Sequence, residues 1–209
     1  MDMIVTAKLI DEGYTFHEYI GLIEELLTNN KTTGDDQSAG RIENSRLNLR
    51  RLTRIYRTAA IPDLLKSVIE NIDEPLTWVV LVEAWCGDGA QIAPYFALLS
   101  ALNPNIRFRL VLRDENPELM NMFLTDGKRS IPKFICFDSD FNVMATWGPR
   151  PTGAKKIFEA YKNSPTMTRD EFHKELHLWY ARDKGQAILD EIYSLIKTHC
   201  ANFIKEFVK

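Results

Sequence analysis

Apolar residues at Phe16, Tyr19, Ile20, Ile23, Leu26 and Leu27 recur at the three- and four-residue spacing of one helix face, which predicts an amphipathic helix over residues 14–27. The polar stretch 31–40 carries no apolar period and reads as a loop, the most flexible link in the chain. Leu49, Leu52, Ile55, Tyr56 and Ala59 mark a second helix, and Pro62 opens a third that runs through Leu64, Leu65, Val68, Ile69 and Ile72 and stops before Pro75. At Trp78 the texture changes. Residues 78–82 are a continuous apolar run, as a strand buried on both faces requires. A helix over 90–102, a strand over 106–112 and a helix from Pro117 to about Leu124 follow. Strands at 133–137 and 143–147 flank the turn-rich stretch Asp138-Ser139-Asp140-Phe141-Asn142, short enough for a hairpin. From Pro151 the chain is helical again, in three pieces broken near Ser164-Pro165 and Lys184-Gly185. This order predicts an α/β sandwich whose sheet of about four strands holds two parallel and two antiparallel members.

The same texture divides the chain into a helical segment 1–75 packed on the core, an α/β core 76–162 and a helical segment 163–209, together one compact unit. Composition then narrows the function classes. With 26 basic and 29 acidic residues the net charge is −3, which lacks the basic excess of a nucleic-acid binder. Residues 1–13 have neither the basic start nor the long apolar run of a signal peptide, and no stretch reaches the roughly 18 apolar residues of a membrane helix. A soluble, cytoplasmic protein is expected. Three scattered cysteines, Cys86, Cys136 and Cys200, suit reduced thiols rather than a disulfide scaffold or a metal cluster.

Candidate chemistry concentrates at Trp85-Cys86-Gly87-Asp88-Gly89, where a strand meets a helix. A thiol there lies beside free N–H groups and the positive end of the helix dipole, which favour its thiolate. Gly87 and Gly89 allow a tight turn that aims backbone amides at an incoming sulfur. Asp88 opposes thiolate formation by its charge while capping helix amides, so the two influences on Cys86 are expected to offset. Glu83 reads as a solvated residue at the strand end. Arg46, Arg50, Arg54 and Arg57 form a basic stripe, read as the solvated face of a helix, and His173 with His177 as part of a surface helix. Trp85, Trp147 and Trp179 read as packing residues, with Trp85 placed to border a substrate groove.

Four points in order resemble the thioredoxin family. Trp85-Cys86-Gly87 is similar to its active-site turn, Asp114-Glu115-Asn116-Pro117 to the segment after its next parallel strand, Arg129-Ser130-Ile131-Pro132 to its cis-proline loop, and Trp147-Gly148 to the end of its last strand. The variant Trp-Cys-Gly-Asp turn behind a helical N-terminal extension resembles the bacterial thioredoxin-like group. The resemblance implies a thioredoxin-like three-layer sandwich with extra N- and C-terminal helices. It also implies a partly exposed Cys86 against a cis Ile131-Pro132 peptide, whose free backbone edge would dock an extended substrate. Two departures stand out. Gly89 occupies the place of the family's second cysteine, and Val80 that of its buried aspartate. Cys136 lies about 13 Å along its strand from Pro132, beyond disulfide reach of Cys86, while Cys200 remains open as a resolving thiol.

Two functions compete on this basis. In one, the protein is a single-cysteine thiol-disulfide oxidoreductase in which Cys86 and Asp88 carry catalysis and Trp85, Gly87, Ile131 and Pro132 bind substrate. Its partner is then a disulfide-containing or glutathionylated protein or a small thiol, no resident cofactor or metal is expected, and an external thiol such as glutathione resolves the adduct. In the other, the protein is a redox-inactive peptide-binding module on the same frame.

Overall fold

The computed structural model describes residues 7, 8, 10–200 and 204. The reading of residues 1–13 as no signal peptide falls partly outside that set, as does the end of the segment 163–209. Among the described residues, the order is α1 (Phe16–Thr28), α2 (Ala39–Thr58), α3 (Asp63–Glu70), β1 (Leu76–Val82), α4 (Gly87–Ser100), β2 (Ile106–Leu112) and α5 (Pro117–Met122). Then come β3 (Lys133–Phe137), β4 (Val143–Trp147), α6 (Thr152–Asn163), α7 (Arg169–Asp183) and α8 (Gln186–His199). The strands form one sheet in the order β2-β1-β3-β4, with β1 parallel to β2 and antiparallel to β3, and β3 antiparallel to β4. This is the α/β sandwich with added helices that the apolar pattern predicts.

The two faces of the sheet are covered unequally. Trp78, Val80 and Val82 of β1 join a large core fed by α1–α4 and α6–α8, whereas Val79 and Leu81, pointing the other way, join a smaller one with Leu119, Met120 and Phe123. Every residue of β1 is buried, which is why its sequence from Trp78 onward is apolar without alternation. Cys86 sits in the smaller core and Trp85 packs against it.

The first apolar marker of helix α2, Leu49, comes ten residues after its start, because its buried positions after Ile42 are polar, Ser45 and Asn48, and an apolar period cannot register them. One reading of the N-terminal region needs correction. The 31–40 loop, expected to be flexible, is pinned. Thr32 and Thr33 are buried, Thr32 Oγ1 pairs with Ser45 Oγ at 2.5 Å, and Gln37 bonds both backbone groups of Thr32.

That pinning positions the reactive turn. The Ala84 N–H donates to Thr33 Oγ1 at 2.9 Å, and the Ala84 carbonyl accepts from Asn48 Nδ2 at 2.9 Å. Both backbone groups of the residue two before Cys86 are thus satisfied by side chains from the loop and α2, which orient the end of β1.

Candidate functional site

Cys86 is the N-cap of α4: its Sγ accepts from the Gly89 N–H at 3.3 Å, the place a serine or aspartate side chain usually fills. Its S–H points to the carbonyl of Ile131 at 3.5 Å. The Ile131–Pro132 bond is cis, as is Gly148–Pro149. Gly148 is in the left-handed region, with φ 112°, and a side chain there would run into the Pro132 carbonyl, so glycine closes this corner behind the thiol.

The expectation of a partly exposed thiol is overturned. Cys86 is only 7% exposed. Helix α7 lies over the turn, and a methyl group built on Gly87 would come 3.2 Å from His177 Cε1. Burial, then the charge of Asp88, push the Cys86 thiol up to about 12. The Gly89 and Asp88 amides and Arg150 pull the other way, and lose. The balance between helix dipole and Asp88 is therefore not the deciding one, because the low-dielectric surroundings disfavour the thiolate before either acts.

Asp88 does not cap the helix, since that place is taken by the thiol itself. It is 6% exposed and held by Arg150 at 2.6 Å and by the Tyr180 hydroxyl, which donates to Oδ1 at 2.7 Å. Burial raises its carboxyl despite Arg150 and Tyr180, and Tyr180 in turn is held well above its ordinary value by burial and the Asp88 charge. Arg150 also lies over the Phe158 ring, 4.4 Å from its centroid. This cluster joins α4, the segment after β4, α6 and α7, so no sequence spacing could announce it.

A cleft of about 320 Å³ opens over the thiol. Trp85, Cys86, Gly87, Asp88 and Ile131 all line it, whereas Pro132 is buried outside the lining. Trp85 is held between guanidinium groups, Arg41 at 3.5 Å and Arg113 at 4.9 Å from its ring centroid. Arg113 in turn forks onto Asp114 at 2.8 and 3.2 Å.

Several side chains were misplaced by sequence reasoning. His173 and His177 are not on an open surface but line the cleft, and both are shifted down: His173 by burial and Arg169, His177 to about 4 by burial, Arg51 and His173. The stripe of Arg46, Arg50, Arg54 and Arg57 stays outside the lining, which instead takes Arg41 and Arg51 from neighbouring faces of the same helix. Glu83 is no solvated residue. It is 1% exposed, accepts the Asp114 N–H at 2.9 Å, and is raised by burial. Cys200 is far from a resolving position, because it neighbours Cys136 at the other core: contact with Cys200 and burial push Cys136 up, and Cys136 pulls Cys200 down. All three cysteines are free and buried. Trp147 is tied by its indole N–H to Glu191 at 2.8 Å and Trp179 covers Gly153, both structural.

Among the described residues, no group of three or more His, Cys, Asp or Glu is placed to hold a metal ion, and no helix is long and apolar enough to cross a membrane.

Comparison with known proteins agrees with the fold. The family model described as Thioredoxin matches residues 34–162, more than half of the chain. A crystal structure of a protein of unknown function from Pseudomonas aeruginosa superposes with a TM-score of 0.58 at 18% identity, covering 92% of this chain and 96% of that one. An HIV epitope-scaffold superposes equally, with a TM-score of 0.58 at 18% identity over 92% of this chain and 97% of its own. At such identity these two share the fold alone. No curated protein matches the sequence.

Proposed function

The chain belongs to the thioredoxin family, and from that premise we propose that it is a single-cysteine thiol-disulfide exchange protein whose nucleophile is Cys86. The observation that carries this reading is the seat of that sulfur: at the N-terminus of α4, taking the Gly89 N–H, on the floor of a cleft and against the Ile131 carbonyl. A thiolate formed there is stabilised by the amide and by the helix dipole. Trp85, Gly87 and Ile131 border the place where a second sulfur would sit, and Asp88 sets the charge beside it. With glycine at position 89 and Cys136 lying beside Cys200 in the other core, a mixed disulfide on Cys86 has no neighbour to expel it. An external thiol such as glutathione completes the cycle, and the reducing cytoplasm suits three unpaired thiols.

The test is mass spectrometry of the intact protein after exposure to small disulfides. One adduct should form on Cys86, vanish in Cys86→Ser, persist in Cys136→Ser/Cys200→Ser, and be released by added small thiol. A protein that forms no adduct even over long incubation at alkaline pH would refute the exchange reading. It would leave the second one, a redox-inactive binding module, which the burial of Cys86 and its thiol pushed up to about 12 favour.

A further inference from the structure

The charge of the cleft exceeds what its protein partners balance. Arg41, Arg51, Arg113, Arg129, Arg150 and Arg169 line it, against the single carboxylate of Asp88. Arg150 is matched by Asp88, Arg41 by Asp36 and Arg113 by Asp114. Among the described residues, Arg51, Arg129 and Arg169 form no ion pair. These three come from α2, from the segment before β3 and from α7, so helix periodicity does not explain their convergence. Both histidines in the lining are shifted toward the neutral form, which leaves the positive charge to the guanidinium groups.

Their depth differs in a useful way. Arg129 and Arg169 are exposed at the rim, while Arg51 is half-buried and donates only to Asn48 Oδ1 at 3.0 Å. Burial and Arg54 press Arg51 toward losing its proton, and the charge of Asp88, already engaged by Arg150, offsets them only in part. A guanidinium desolvated with no ion-pair partner of its own is costly, and an arriving anion reduces that cost. Arg150 Nε and His177 Nδ1 are likewise buried in the lining with no hydrogen-bond partner.

Size decides between a small ligand and a protein. About 320 Å³ is at the lower end of the range for small-molecule pockets. The loop of a folded partner would have to push past the rim arginines to reach a sulfur 7% exposed.

Resting on the reading of Cys86 as the attacking thiol, we infer that the substrate is a small disulfide bearing carboxylates, held by Arg51, Arg129 and Arg169 while one of its sulfurs meets Cys86. The Cys86 thiol gives its proton to solvent and its sulfur forms the new S–S bond. The substrate S–S bond breaks, and the leaving thiolate departs with the electron pair and takes up a proton. Cys86 is oxidised as far as the leaving half is reduced. A free thiol of the same class then attacks the adduct, restoring Cys86 and forming a new disulfide. The lining arginines favour this sequence twice, by raising the local concentration of the anion and by stabilising the departing thiolate.

Two measurements test this. The first is the rate of Cys86 adduct formation at neutral pH with glutathione disulfide, neutral hydroxyethyl disulfide and cationic cystamine, each divided by its rate with the uncharged thiol N-acetylcysteinamide to remove intrinsic reactivity. The corrected rate should be at least about tenfold higher for the carboxylated disulfide than for the neutral one, should be lowest for the cation, and should lose its advantage in high salt. Arg51→Gln and Arg169→Gln should each shrink the advantage; Arg169 is at the rim, so its variant serves even if Arg51→Gln unfolds. Equal corrected rates, or a cation that reacts fastest, overturn the inference while leaving Cys86 exchange intact. The second measurement is calorimetric binding of S-methylglutathione, which carries two carboxylates and cannot exchange, to Cys86→Ser. Salt-sensitive binding there, with no adduct on the unmodified protein, would uphold the anion site and refute the exchange reading; absence of binding would overturn the site.

Discussion

Replacing Asp88 by asparagine removes the charge that, after burial, does most to hold Cys86 protonated. With the thiol at about 12 against an ordinary value of 9.0, three units separate it from a free cysteine. At neutral pH its thiolate population is then lower by about a thousandfold, and the higher intrinsic nucleophilicity of a more basic sulfur returns about half of that on a logarithmic scale. Alkylation of the unmodified protein by neutral iodoacetamide should therefore be about 30- to 60-fold slower than that of a free thiol, before any steric protection. A like charge in contact commonly accounts for about one to two units, so Asp88→Asn should speed alkylation about three- to tenfold. Burial keeps it short of a free thiol. The substitution also takes the partner of Arg150 away, and losing that charged hydrogen bond should cost about 2 kcal/mol. The assay is the pseudo-first-order rate at the Cys86 peptide as pH rises, with urea unfolding as the control that the variant reacts from its folded state. In the unmodified protein the rate should climb steadily with pH and reach no plateau near neutrality. A plateau near neutral pH, or slower alkylation in a folded Asp88→Asn, would show that the carboxylate assists the sulfur and refute the reasoning.

Other perturbations test the rest of the site. A methyl group at position 89 would sit 2.7 Å from Val82 Cγ2, so Gly89→Cys alone should lose about 1–3 kcal/mol; a fully stable single variant would contradict the crowding. Val82→Ala/Gly89→Cys makes room and should form a disulfide between Cys86 and the introduced thiol, seen as a mass loss of two hydrogens. His177 is held at about 4 against an ordinary 6.5, so the folded state binds fewer protons than the unfolded one. Stability should be full above the unfolded value and fall as pH drops toward 4, by about 1–2 kcal/mol in all once solvent screening of this half-buried ring is allowed for, and His177→Gln should flatten that part of the profile of urea midpoint against pH. Asn48→Ala leaves the buried Ala84 carbonyl without its donor and Arg51 without its acceptor, which should cost about 1–3 kcal/mol in urea unfolding and, by loosening the turn, quicken Cys86 alkylation.

Much of the fold is written in local pattern. The unbroken apolar run of β1, the alternation in β2 and the turn at 138–142 place the sheet, because burial on both faces, burial on one and a hairpin each demand their own spacing. The turn at Cys86 was legible too, since a thiol beside glycines at a strand-to-helix junction is a local arrangement. The surroundings of that thiol are set by contacts distant in sequence. Arg150, Tyr180 and His177 reach it from 64 to 94 residues away along the chain, and Asn48 and Thr33 hold its turn from the other side. A periodicity tells that a helix has a polar face; it carries no sign of what that face will meet. His173 and His177 therefore read as surface, and Ser45 and Asn48, polar members of the buried stripe of α2, gave no apolar signal. Burial of Cys86 follows from its seat in the smaller core beside Ile131 and from α6 and α7 closing over its turn, and it is that desolvation, more than any neighbour in sequence, that sets the chemistry of its sulfur.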